Sequence, residues 1–90
     1  MQREAALAKS IHSEAYRELI SRLTDARVAS GLTQQALADR LGRPQSYVAK
    51  VEGLERRLDV VELFLFSGAL GWDPMPSLQK TWENLQSAGT

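Results

Sequence analysis

The chain has 90 residues, no net charge and no cysteine, and 43% of its residues are hydrophobic. That is one domain's worth of chain with one modest core, and the missing thiols exclude a disulfide framework or a thiolate metal site. No stretch approaches the ~18 uninterrupted apolar residues of a membrane span; the greasiest, residues 60–70, is broken by Glu62, Ser67 and Gly68. The first residues, with Arg3, Glu4 and Lys9 and no long apolar run, do not read as a secretory leader, so the expected location is cytoplasmic.

Periods of three and four recur along the chain and strand-like alternation does not, so the elements read as helices. Ser13 is placed to cap a first helix over residues 14–30, where Tyr16, Leu19, Ile20 and Leu23 form an apolar stripe and Gly31 offers a left-handed terminus. Residues 1–12 hold helix formers without a stripe and are assigned to an arm or helix extension. Thr33 opens a short helix over residues 34–41, closed by Gly42. Pro44 then starts another at its first helical position, running to about Glu52. Two residues separate these short helices, so they must cross steeply. Asp59 and Glu62 have the spacing of a reciprocal cap, Leu58 and Leu63 that of a hydrophobic staple, and this fourth helix runs to Gly71. After a loop through Pro76, Ser77 is expected to cap a last helix to about Gln86, with Leu78, Trp82 and Leu85 on its apolar edge.

The segment from Gln34 to Leu54, QQALADRLGRPQSYVAKVEGL, is the informative one. Ala38 is small where the second short helix must cross close, Gly42 takes the tight turn, and Val48 and Val51 can pin that helix to the core. The opposite face then presents Gln45, Ser46, Ala49 and Lys50, short or hydrogen-bonding side chains suited to entering a groove. The charge distribution agrees. Residues 34–57 hold Arg40, Arg43, Lys50, Arg56 and Arg57 against Asp39, Glu52 and Glu55, whereas beyond them Lys80 stands against Asp59, Glu62, Asp73 and Glu83. The positive charge that phosphate binding needs is gathered mid-chain.

The A-x3-G-x5-V-x2-V spacing at Ala38, Gly42, Val48 and Val51, the G-L-T-Q at residues 31–34 and the L-G-W-D-P at residues 70–74 together resemble the phage repressor and Cro family, the XRE-like helix-turn-helix proteins. The resemblance spans roughly Tyr16 to Pro74. It implies an all-α fold, a compact five- to six-helix bundle of the lambda-repressor-like DNA-binding type. Residues 13–76 would form the DNA-binding domain, and residues 77–90 a helix for dimerisation or partner contact. The implied activity is sequence-specific binding of double-stranded DNA in the major groove by a transcriptional regulator, a repressor, with no cofactor.

By the same resemblance, Gln45, Ser46, Ala49 and Lys50 match base-reading positions; a glutamine can bond bidentately to adenine and a lysine can donate to guanine. Gln34, Arg43, Tyr47, Arg56 and Arg57 match positions at the DNA backbone, Gln34 at a helix N-terminus whose dipole favours anions. Arg27 and Glu52 match an ion pair joining the first helix to the end of the recognition helix. Two departures stand out. The first turn after Thr33 carries Gln34, Gln35 and Ala36 without the usual glutamate. After the recognition helix, Gly53-Leu54-Glu55 replaces asparagine or arginine followed by glycine, and Glu55 would repel phosphate.

Val61, Leu65, Gly68 and Trp72 recur on one face of the fourth helix, while Val60, Leu63, Phe64 and Ser67 are taken to line another toward the core. A helix apolar nearly all round is normally covered on both sides. Gly68 inside it costs ~1 kcal/mol relative to alanine, which the close approach of a second backbone would explain. This face, helped by Trp82, is the expected homodimer surface; the alternative is that the last helix folds back over it. A second functional reading is an antitoxin-type module whose C-terminal segment binds a partner protein as well as, or instead of, DNA, and a third is a purely structural domain. His12 is the sole histidine and has no second ligand, so no metal is expected. The carboxylates read as caps and solvated faces, so no enzyme is expected.

Overall fold

Helix boundaries in this protein follow from where backbone groups find side-chain partners. In a computed structural model describing residues 13–87, five helices run in order: α1 (Glu14–Ala29), α2 (Gln34–Leu41), α3 (Gln45–Glu52), α4 (Val60–Leu70) and α5 (Met75–Ser87). The expected N-terminal arm, His12 and the last three residues lie outside the described residues. Ser13 accepts from the Tyr16 N–H at the head of α1, and Thr33 accepts from the Ala36 N–H at the head of α2. Asp59 and Glu62 close a full capping box at α4, each carboxylate accepting from the other's N–H at 2.7 and 3.0 Å. Leu58 and Leu63, on either side of that cap, are both buried.

Two starts differ from the sequence reading. Pro44 is the residue before α3, extended at ψ 152°, and its carbonyl accepts from the Tyr47 N–H; the helix proper begins at Gln45. The last helix begins at Met75, not after Ser77, because the Asp73 carboxylate accepts from the Met75 N–H. Pro76 then falls in the first turn, where a missing N–H leaves no helical bond unmade. Ser77 is buried inside the helix and its carbonyl accepts from the Thr81 hydroxyl.

The first four helices end in one and the same way. In each, a residue one or two places past the helix end turns left-handed and its N–H bonds three residues back, while the next N–H bonds five residues back, the Schellman pattern. Gly31 and Leu32 do this to Val28 and Arg27, Gly42 and Arg43 to Asp39 and Ala38, and Gly71 and Trp72 to Gly68 and Ser67. At α3 the pair is Leu54 and Glu55, bonded to Val51 and Lys50. Leu54 therefore adopts φ 62° where the other three ends use glycine. A leucine there carries a cost of ~1–2 kcal/mol, offset by packing of its half-buried side chain on the core. Gly53 serves a different need, since a Cβ on it would meet the Ala49 carbonyl at 3.1 Å.

The core is built from Leu19, Ile20 and Leu23 of α1, Leu37 and Ala38 of α2, Val48 and Val51 of α3, Leu58, and Leu63, Phe66 and Leu70 of α4. Helix α2 packs on both α3 and α4, and α1 backs them. Arg40 of α2 donates to the Ala69 carbonyl, tying α2 to the C-terminal turn of α4, where a cation also suits the helix dipole. Helix α5 lies along α1, with Asn84 donating to Glu18, and does not fold over α4 as one alternative had it.

Ala38 is fully buried at the α2–α3 crossing. Ala38→Leu should overpack that crossing and destabilise the fold by about 1–3 kcal/mol. Thermal unfolding should show a fall in Tm of roughly 4–8 °C per kcal/mol for a domain of this size.

Candidate nucleic-acid interface

Helix α3 is anchored by Val48 and Val51, both at 0% exposure. Residues 45, 46, 49 and 50 fall on the opposite arc of a 3.6-residue helix. Ser46 and Lys50 are exposed there, and Gln45 and Ala49 are half-buried at its margins. The four candidate base-reading residues thus share one edge.

That edge is oriented from beneath. Arg27 of α1 meets Glu52 at the end of α3 in a two-pronged ion pair, Nε to Oε2 at 2.6 Å and Nη2 to Oε1 at 3.0 Å. Its remaining nitrogen, Nη1, donates to the Leu32 carbonyl at 2.7 Å, so the guanidinium joins α1, the loop before α2, and α3. The hydrogen bond to Glu52 raises the Arg27 pKa above its ordinary value, against an opposing effect of burial. The side chains are only 13% and 7% exposed. At that burial, removing one partner leaves an uncompensated charge, a loss of about 3–5 kcal/mol against the ~0–1 of a surface pair.

The ion pair extends into a hydrogen-bond chain that the sequence did not reveal. Gln34 Nε2 donates to Glu52 Oε1 at 2.9 Å, and Gln34 Oε1 accepts from Gln45 Nε2 at 2.7 Å. Gln34, matched by resemblance to a phosphate contact, therefore has both ends of its amide engaged inside the protein. The sequence carried no local signal of this link, because it joins residues near the starts of two helices that only the fold brings together.

Tyr47 departs more plainly from its expected place. Its hydroxyl donates to Glu62 Oε2 at 3.1 Å instead of standing open toward a DNA phosphate, and its ring packs on Phe66 with centroids 5.7 Å apart. Burial, then the bond to Glu62, raises the phenol's pKa above its ordinary value. The guanidinium carbons of Arg43 and Arg56 lie 4.9 and 4.7 Å from the centroid of this ring. Arg56 also pairs with Glu62 at 3.0 Å. The tyrosine ring thus gathers two arginine charges beside the start of α3, a cation–π arrangement in which one carboxylate offsets part of the charge. Arg57 and Lys50 are exposed and take part in no ion pair among the described residues. On the other flank, Tyr16 accepts from the Leu58 N–H, which fixes the loop carrying Arg56 and Arg57 to α1. Burial is the main reason that its phenol pKa is raised.

The apolar face of α4 also differs from its sequence reading. Val60 and Phe64, expected to face the core, are 65% and 46% exposed, beside Val61 at 66% and Leu65 at 59%. Trp72 packs against the core, half-buried, while Trp82 stands exposed on α5. Among the described residues, nothing outside the surrounding turns of α4 lies within 4 Å of where a Gly68 Cβ would be. Among the described residues no acidic or histidine cluster could hold a metal ion, and no helix is long and apolar enough to cross a membrane.

Two short helices crossing at a left-handed glycine, the second anchored inward with a polar edge outward and arginines at its flanks, define a helix-turn-helix of the DNA-binding class. The helix-turn-helix family model matches residues 23–74. A solved structure described as an XRE-family like protein from Pseudomonas syringae pv. tomato str. DC3000 is similar at 47% sequence identity and a TM-score of 0.75, covering 87% of this chain and 95% of that one. No curated protein matches the sequence. The chain belongs to the XRE family of helix-turn-helix proteins, whose members are DNA-binding transcription regulators.

Glu62 receives bonds from Arg56, the Asp59 N–H and Tyr47, and these, the Arg56 bond first, hold its carboxyl below the usual carboxylate range. A lowered folded-state pKa contributes stability above the unfolded carboxylate pKa, and that contribution is lost as pH falls through the folded value. Urea unfolding should therefore show Glu62→Gln less stable than the native chain at about pH 6, with the gap closing toward about pH 3. A gap that is constant with pH would show that this carboxylate charge contributes nothing.

Proposed function

We propose that this protein is a transcriptional repressor that binds an inverted-repeat operator as a homodimer, with α3 in the major groove. The observation that carries the reading is the pinned helix α3, whose outward edge of Gln45, Ser46, Ala49 and Lys50 is flanked by Arg43, Arg56 and Arg57. Gln45 and Lys50 supply base contacts, while the three arginines contact phosphates and hold register. Tyr47 acts by holding Arg43 and Arg56, its hydroxyl being engaged by Glu62.

Two variants separate these roles. Gln45→Ala should lose about 1–3 kcal/mol of discrimination at a single base-pair position. Arg57→Ala should weaken binding to all duplexes alike and reduce the salt slope by about 1. Titrations against a panel of single-substituted operators at several salt concentrations read both; equal, sequence-independent losses in the two variants would contradict the assignment.

The dimer reading rests on α4. At 3.6 residues per turn, Val60, Phe64, Gly68, Val61 and Leu65 follow one another around a single arc, with Gly68 in its middle. Large contiguous apolar patches mark interaction sites, and a central glycine lets two helices approach closely. A two-fold axis there buries the arc against its own copy and sets the two recognition helices to meet major grooves about 34 Å apart. Trp72, beyond the end of α4, packs on the core instead of joining this arc, and Trp82 lies on a different helix. Sedimentation over a concentration series should show a dimer that Leu65→Glu converts to monomer. A strict monomer at high micromolar native protein would end the dimer reading.

A further inference from the structure

Arg56 differs from the other arginines of the interface in that its guanidinium is already engaged inside the protein. Its Nη2 pairs with Glu62 Oε2 at 3.0 Å, and its Nη1 donates to the Arg57 carbonyl at 3.1 Å. The guanidinium also lies over the Tyr47 ring, a contact that uses no N–H donor. A DNA phosphate presents the same kind of acceptor as the Glu62 carboxylate, an anionic oxygen. The two therefore compete for Arg56, and the outcome depends on which partner can move. Glu62 is tied down, because its Oε1 accepts from the Asp59 N–H and its Oε2 accepts from the Tyr47 hydroxyl. Its side chain is 16% exposed, against 41% for Arg56. Arg56, on the loop between α3 and α4, is the member of the pair that can turn outward.

We infer that Glu62 limits the affinity of this protein for DNA: its carboxylate holds the guanidinium that a backbone phosphate would take, so Arg56 must leave Glu62 to bind the duplex. The inference rests on Arg56 contacting phosphate, as proposed above. The exchange breaks a partly exposed ion pair and leaves the Glu62 charge beside the incoming phosphate. The bonds from Tyr47 and the Asp59 N–H are untouched by it, so α4 keeps its cap. Arg43 lies over the same ring but is in no ion pair among the described residues, and its contact with phosphate requires no exchange. Glu62 thus acts in opposite directions on two equilibria, stabilising the fold and opposing the complex. Phosphates recur along every duplex, so the effect on binding is independent of sequence.

The test titrates the native protein, Glu62→Gln, Arg56→Ala, their double variant and Asp59→Asn against an operator duplex recovered by selection and against a scrambled duplex. Circular dichroism establishes conditions in which every variant is folded, and urea unfolding is followed on the same samples. Glu62→Gln keeps an oxygen for the Asp59 N–H and removes the charge that pairs with Arg56. It should bind both duplexes about threefold more tightly than the native protein, although its fold is the less stable. Beside Arg56→Ala the same change should alter affinity by no more than about 1.5-fold, since the contested guanidinium is gone. Arg56→Ala should correspondingly cost about threefold in the native background and about tenfold beside Glu62→Gln. Asp59→Asn removes a charge from the same helix head without touching the partner of Arg56, and should leave affinity within about 1.5-fold of native. A gain that persists beside Arg56→Ala, or that Asp59→Asn reproduces, means plain repulsion of phosphate and overturns the exchange. If Arg56→Ala weakens binding but Glu62→Gln does not tighten it, the inference is refuted and phosphate contact by Arg56 stands. If Arg56→Ala changes affinity in neither background, Arg56 contacts no phosphate and the inference fails with that reading.

Discussion

The rest of the structure depends on the burial of one face of α3. Eight residues make a helix with too little cooperativity to persist alone in water, so its geometry must be imposed by what it packs against. Val48 and Val51 supply the apolar anchor, and Ala38, with no side chain beyond its Cβ, lets α2 cross near enough to receive it. Apolar contact is non-directional and leaves the helix free to roll about its own axis. The Arg27–Glu52 pair removes that freedom, because two parallel charge-assisted bonds have a defined geometry. Anchor and pin together turn a marginal helix into a rigid edge.

Around that edge, carboxylates do unusual amounts of organisation. Glu62 belongs to the capping box of α4, yet its second oxygen receives Tyr47 and Arg56, so the start of α4 is coupled to the arginines beside the recognition helix. Glu52 closes α3 and at the same time orders the glutamines at the heads of α2 and α3. Both acids offset part of the positive charge beside α3, while the acidic excess beyond residue 57 balances the rest in a chain of zero net charge. The exposed cations Arg43, Lys50 and Arg57, in no ion pair among the described residues, keep that face positive.

Much of the fold was legible in the sequence because it is written in local chemistry. Ser13, Thr33 and Asp59 cap helices by hydrogen bonds to N–H groups within three residues, and Gly31, Gly42 and Gly71 end them by conformations that need no partner elsewhere. What escaped is what local chemistry leaves open. The last helix starts at Met75 because of an aspartate two residues earlier, a contact that competes with the equally plausible Ser77. Leu54 holds a left-handed conformation that only its tertiary packing sustains. Periodicity could not place Val60 and Phe64, because α4 is apolar nearly all round and a repeat cannot choose a face when almost every position is hydrophobic. The Arg27–Glu52 pair was accessible through family resemblance, whereas the link through Gln34 to Gln45 and the Tyr47–Glu62 bond join residues 11 and 15 apart and needed coordinates.

The central claim is that one exposed helix edge reads duplex DNA. Incubating the native protein with random-sequence duplexes, recovering the bound fraction and sequencing it tests this most directly. The account predicts enrichment of an inverted repeat whose half-sites are centred about one helical turn apart, the spacing of successive major grooves. Recovery of sequences no different from the starting pool would contradict it.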